Sequence, residues 1–98
     1  MTTITLSAAS AKTSAFRSAY PNAKKGILFS ATDFAAIAGQ EGCVVVKAYF
    51  CLDSSNSNDL NLVLVGVDAD GNDMTSGALR NSGQACPPNC GESNALNS

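Results

Sequence analysis

The sequence predicts an α+β fold: two N-terminal helices packed on one face of a small antiparallel sheet of about three strands, followed by an irregular Cys/Pro C-terminal tail. Three observations carry this. Residues 1–40 place their larger apolar side chains at helical spacing behind Ser and Thr caps. Residues 43–67 hold two runs rich in β-branched and aromatic residues, separated by a Ser/Asn loop. From Gly77 onward Asn, Ser, Gly and Pro dominate, with Leu79 and Leu96 the large aliphatics. At 98 residues the chain is expected to be a single domain, 1–98.

The first helix is expected over about residues 5–20. Thr5 or Ser7 can cap it, Ile4 is placed as a staple and Pro21 stops it. Phe16 and Tyr20 lie four apart on one face, and the Ala-rich remainder suits close packing. Ile27–Phe29 reads as a short apolar lead into the second helix, over about 30–39. Ser30 with Asp33 resembles a capping box, Phe34, Ile37 and Ala38 follow at helical spacing, and Gly39 and Gly42 end the helix.

The strands are expected over about 43–52, 60–68 and 72–76, with the tail over 77–98. On the first, Val44, Val46, Ala48, Phe50 and Leu52 make a wholly apolar face. Asp53–Asp59 is a polar loop. The second strand is apolar on both faces, which predicts cover on both. The helices can cover one; Val63, Val65 and Val67 face the other and are the expected self-association residues. Asp70-Gly71 is the strongest hairpin signal in the chain. The expected core is Phe16, Phe34, Ile37, Val44, Val46, Phe50, Leu62 and Leu64.

Composition removes several functions. The chain has no His, which excludes a Ser-His-Asp triad, a His base and His-ligated metal. Six Lys plus Arg and a net charge of −2 do not make a phosphate-binding surface, so no nucleic-acid partner is expected. The apolar runs are far shorter than about 18 residues, so no membrane span is expected. Met1–Ser7 lacks a basic region and an apolar stretch, so it does not read as a secretory signal. The cytoplasm, with reduced thiols, is the default unless export follows a leaderless route. Residues 1–50 carry five Lys or Arg against two acidic residues, net +3; residues 51–98 carry one Arg against six, net −5. Such a split can orient copies head to tail.

The candidate chemistry is sparse. Cys86-Pro87-Pro88-Asn89-Cys90-Gly91 could form a disulfide, supply two metal ligands or exchange thiols. Pro87-Pro88 forbids a helix starting at Cys86, which argues against a redox pair. A four-Cys zinc site would need Cys43 and Cys51, but eight residues of strand hold them about 26 Å apart, which also prevents their pairing. A structural role for Cys86 or Cys90 is left, with Cys43 the favoured internal partner. Asp68, Asp70 and Asp73 alternate like calcium ligands, but the Glu that completes such a loop is missing and a tight hairpin accounts for Asp70-Gly71. No metal and no cofactor are expected.

The segments Gln40–Tyr49, Leu62–Asp68, Gly71-Asn72-Asp73-Met74 and Cys86–Gly91, with Asn94 and Leu96, resemble an uncharacterised family of short bacterial proteins. Its pattern is a strand after Gly-Cys, a second strand ending Val-Gly-Val-Asp, a Gly-Asn-Asp turn and a Cys-Pro tail. The likeness covers about two thirds of the chain, and Cys51 falls outside it. It implies a shared fold and brings no activity.

The functional expectation is a non-enzymatic structural or interaction protein that associates with copies of itself, through sheet edges or the open sheet face, into a ring or filament. The alternative is a small thiol-active or metal-binding module centred on Cys86 and Cys90.

Overall fold

The structure, a computed structural model, describes residues 2–56, 59–81 and 83–98. Of the expected Asp53–Asp59 loop, Ser57 and Asn58 lie outside the described residues, as does Ser82 of the tail. The order is α1 (Leu6–Ala19), β1 (Gly26–Leu28), α2 (Ala31–Ala38), β2 (Val45–Leu52), β3 (Leu60–Val67), β4 (Leu79–Arg80) and β5 (Gln84–Cys86). The α+β class holds. The described strands form two antiparallel sheets rather than one: β2-β3-β4, and β1 paired with β5.

Both helices begin where their caps dictate. The Thr5 hydroxyl accepts from the Ala8 amide at 3.1 Å, and the Ser30 hydroxyl from the Asp33 amide at 3.1 Å. Asp33 adds a negative charge to the first turn of α2, where the helix dipole favours it. Gly39 caps the C-terminus of α2 and Gly42 turns the chain at φ +86°.

The two helices do not share the work of covering the sheet. α2 packs on β2, β3 and β4, burying Ile37 completely (0 % exposed) over Leu64 (2 %) on the central strand. Gly66 of β3 sits under the side chains that follow α2 and the Asp70-Gly71 turn: an added Cβ would meet Cys43 Sγ and Gln40 Nε2 at 3.0 Å and Met74 Sδ at 3.2 Å, so those side chains would have to give way. Gln40 then fastens the end of α2, donating to Ile37 O at 2.9 Å and accepting from the Ala78 amide at 2.8 Å. α1 instead stands across an apolar cleft from the β2–β3 hairpin and buries none of its residues. It is held by the C-terminal segment, through Ser10 Oγ to Ala95 O (3.0 Å) and Arg17 to Leu96 O (2.6 Å).

The Asp70-Gly71 turn forms as expected, but no third strand follows it. The Asp68 carboxylate accepts the Asp70 and Asn72 amides at 3.0 Å each, and Gly71 takes φ +83°. Residues 72–76 contribute a single bridge, Val67 to Asp73, before the chain turns again at Gly77. The third strand of the sheet is the two-residue β4, inside what reads as irregular tail. Likewise Ile27 and Leu28 of the expected lead belong to β1, paired with β5 of the tail. Strands of two or three residues carry no periodicity for a sequence pattern to display.

Candidate functional site

The burial pattern moves the open apolar surface away from where the sequence places it. Val65 (3 % exposed) and Val67 (7 %) are buried and cannot be the open face; Val63 beside them is half-buried. Their cover comes from polar side chains of the sheet itself. Lys47 stands opposite Val65 and Tyr49 opposite Val63 on β2, while Asp73 bridges to Val67 from the other side of β3. Lys47 Nζ reaches Asp73 Oδ1 at 2.7 Å and the Tyr49 hydroxyl donates to Asp73 Oδ2. Both side chains therefore cross over the central strand and form a strap above the valines. Asn61, also buried on this face, is satisfied by Asp53 and by the Leu62 amide.

The strap sets a pH response. The Asp73 carboxyl lies below its ordinary value of 3.8 because Lys47, and then Tyr49, hydrogen-bond its charged form. Lys47 lies above its ordinary 10.5, chiefly through the same bond to Asp73. A depressed carboxyl contributes stability above its unfolded value and loses it as pH falls through the folded one; a raised ammonium loses its contribution as pH rises through the folded value. Asp73→Asn should accordingly lower the melting temperature at pH 7 and remove part of the loss of stability seen on acidification below about pH 4. Asp59, lowered by Lys24 and then Ser54, supplies another part. A melting-temperature profile across pH 2–7 that is superimposable on that of the parent would overturn the strap.

Exposed large apolar residues occur along the chain, Leu6 and Tyr20 of the α1 region among them, and β2 carries several of them together. Phe50, expected in the core, is 81 % exposed, and Val44 and Phe34, also expected there, are exposed too. Tyr49 is exposed on the other face of β2, and Leu52 adds to the Phe50 face. Beside it lies the cleft of about 320 Å³ between α1 and the hairpin, walled by Phe16, Ile27, Phe50, Leu60 and Leu62, with Lys12, Lys24 and Lys25. β2 is an edge of its sheet over its whole length. The hydrogen-bond parity shows which groups are free. Asp53 N donates to Asp59 O at 3.0 Å, in register with Val45↔Val67, so the odd residues of β2 bond inward to β3. The even residues of β3 bond the other way, as Met74 N to Gly66 O (2.8 Å) shows. Val46, Ala48, Phe50 and Leu52 therefore turn their N–H and C=O groups to the open edge.

The sulfur chemistry is simpler than the sequence allows. Cys86 and Cys90 form a disulfide with their Cα atoms 4.7 Å apart, against the reduced default and in place of a bond to Cys43. Cys43 is free and packs towards Gly66 in the three-stranded sheet, while the bridge ends β5 in the other sheet; Cys51 is also free. The bridge closes a ring that contains two cis peptides, Cys86–Pro87 and Pro87–Pro88. Lys25 N bonds Cys86 O at 2.6 Å, and Asn97 Nδ2 bonds Cys90 O at 2.9 Å, so the ring joins β1 to the C-terminus. With the bridge formed, neither Cys86 nor Cys90 presents a free thiol.

Asp68, Asp70 and Asp73 do not converge: Asp68 holds the turn and Asp73 holds Lys47 and Tyr49. Among the described residues no three Cys, Asp or Glu side chains are grouped to hold a metal, and no helix is long and apolar enough to cross a membrane. Part of the charge split is used inside the chain: Lys24–Asp59 (2.8 Å) and Lys47–Asp73 (2.7 Å) join a base of the first half to an acid of the second, while Arg80–Asp33 (3.1 Å) runs the other way. No family model, curated protein or solved structure matches the chain.

Proposed function

We propose that this protein is a non-enzymatic structural or interaction protein that works by associating with copies of itself, through the open edge of β2 and the apolar surface around Phe50. The observation that carries the reading is Phe50, a large aromatic 81 % exposed on an eight-residue strand whose outer edge pairs with no other strand among the described residues. Long apolar edges are ordinarily blunted by Pro, charge or cover, because they present unpaired backbone groups to any other strand. β2 has no Pro, and its one charge, Lys47, is drawn inward over β3.

The size of the exposed surface agrees. The 10.0 kDa chain presents 6553 Å² to solvent, where a monomer of that mass presents about 5,200 Å². Its radius of gyration is 14.9 Å, against about 13 Å for a compact domain of this length. The excess, about 1,300 Å², exceeds the roughly 800 Å² each partner contributes to a standard interface.

Light scattering over a concentration series tests this. The parent should show a mass above 10.0 kDa that falls on dilution. Phe50→Lys should weaken association at least tenfold, about 1.4 kcal/mol, with an unchanged circular dichroism spectrum. A parent that stays monomeric at millimolar concentration ends the proposal.

A further inference from the structure

We infer that the partner at this edge is a second copy bound by two-fold antiparallel pairing of β2 with β2, in the register that sets Tyr49 opposite itself. The inference rests on the self-association proposed above and adds its geometry. Antiparallel pairing on the open edge joins even residues through hydrogen bonds and leaves odd residues as the closer, non-bonded pairs. A two-fold axis must then pass through one residue of β2, and few choices remain.

Centring on Tyr49 pairs Val46 with Leu52 of the second copy and Ala48 with Phe50 of the second copy, each twice by symmetry. All four outward-facing residues are engaged, giving eight backbone hydrogen bonds. Centring on Ala48 leaves Leu52 opposite Val44 of the second copy, whose amide already bonds Val67 O inward at 2.9 Å. Centring on Phe50 sets Val46 opposite Ser54, beyond the end of β2. The Tyr49 register alone spends every free group.

The side chains fit the same register. Phe50 lies across from the small Ala48, so an aromatic ring covers an alanine on each side of the axis. The two Tyr49 residues face each other at the axis as a non-bonded pair, each side chain still drawn inward over β3 to Asp73, so no bulky ring stands in the way of close strand approach there. Lys47 meets Cys51 rather than a second Lys47, and it is already neutralised by Asp73. The product is a continuous six-stranded sheet that ends on both sides in the two-residue β4, so the assembly closes as a dimer and does not grow into a filament.

Disulfide trapping reads the register directly. In a Cys43→Ser, Cys51→Ser background, Tyr49→Cys should oxidise to a covalent dimer, because opposed non-bonded residues lie about 4.5 Å apart at Cα, within disulfide range. Tyr49 also holds the strap, so a second experiment leaves it intact: Ala48→Cys mixed with Phe50→Cys should give the mixed dimer in several-fold excess over either self-linked dimer. Light scattering on the same background separates two failures. A dimer in which Ala48→Cys links to itself and Tyr49→Cys does not overturns the register while leaving self-association standing. A background protein that scatters as a monomer overturns both.

Discussion

Ile37→Ala is expected to destabilise the fold by about 3 kcal/mol, within the range of large-to-small changes at fully buried aliphatic sites. Ile37 is the buried residue of α2, and α2 is the helix that packs on all three strands of the larger sheet. Its removal leaves a void above Leu64 that neighbours cannot readily fill, since Gln40 fixes the end of the helix to Ile37 O and Ala78 N. Few other residues share the load: among the described residues the buried apolar set is Ile37, Leu64, Val65, Val67 and Cys86. For a domain near 100 residues, 3 kcal/mol corresponds to a fall in melting temperature of roughly 12–24 °C. Phe34→Ala in the same helix should cost far less, because Phe34 is 43 % exposed. Denaturant midpoints of the two variants check this, and a loss under about 1 kcal/mol for Ile37→Ala would remove α2 from the core.

The parts of this fold that are legible in the sequence are those with local physical causes. Thr5 and Ser30 announce both helix starts because a hydroxyl three residues before an amide donor needs nothing distant to work. β2 and β3 show as β-branched runs, and Asp70-Gly71 marks its turn through positive φ and an Asx bond. What pattern does not reveal is partnership. Phe50 and Val44 have the spacing of a core face, yet α2 covers only the part of that face around Leu64 and Gly66, and α1 stands away. Val65 and Val67 look uncovered because their cover is Lys47, Tyr49 and Asp73, residues that read individually as surface. Of the candidate site, the unblunted edge was visible as the absence of Pro and the scarcity of charge. Its location on β2, rather than on the Val63 face, depends on β4, and a two-residue strand leaves no trace in composition.

Val65→Lys is expected to cost roughly 3–5 kcal/mol, the range for an uncompensated charge placed in a buried site. Val65 is 3 % exposed on the central strand, between Lys47 of β2 and Leu79 of β4. A lysine there loses the valine's burial and lifts the strap. The strap's carboxylate, Asp73, is already held by Lys47 and Tyr49. Three accounts of what covers this face give different outcomes. If a second copy covered it, the variant would be a folded monomer with the parent's denaturant midpoint at low concentration. If the C-terminal segment covered it, deleting residues 93–98 would destabilise the protein as much as the substitution does. The strap predicts instead that Val65→Lys unfolds at a denaturant concentration lower by an amount independent of protein concentration. It also predicts that Val65→Lys adds little to a Lys47→Ala, Asp73→Ala background in which the strap is already gone, because both changes open the same two valines to water. Full additivity in that cycle would show that Val65 is buried by something other than the strap.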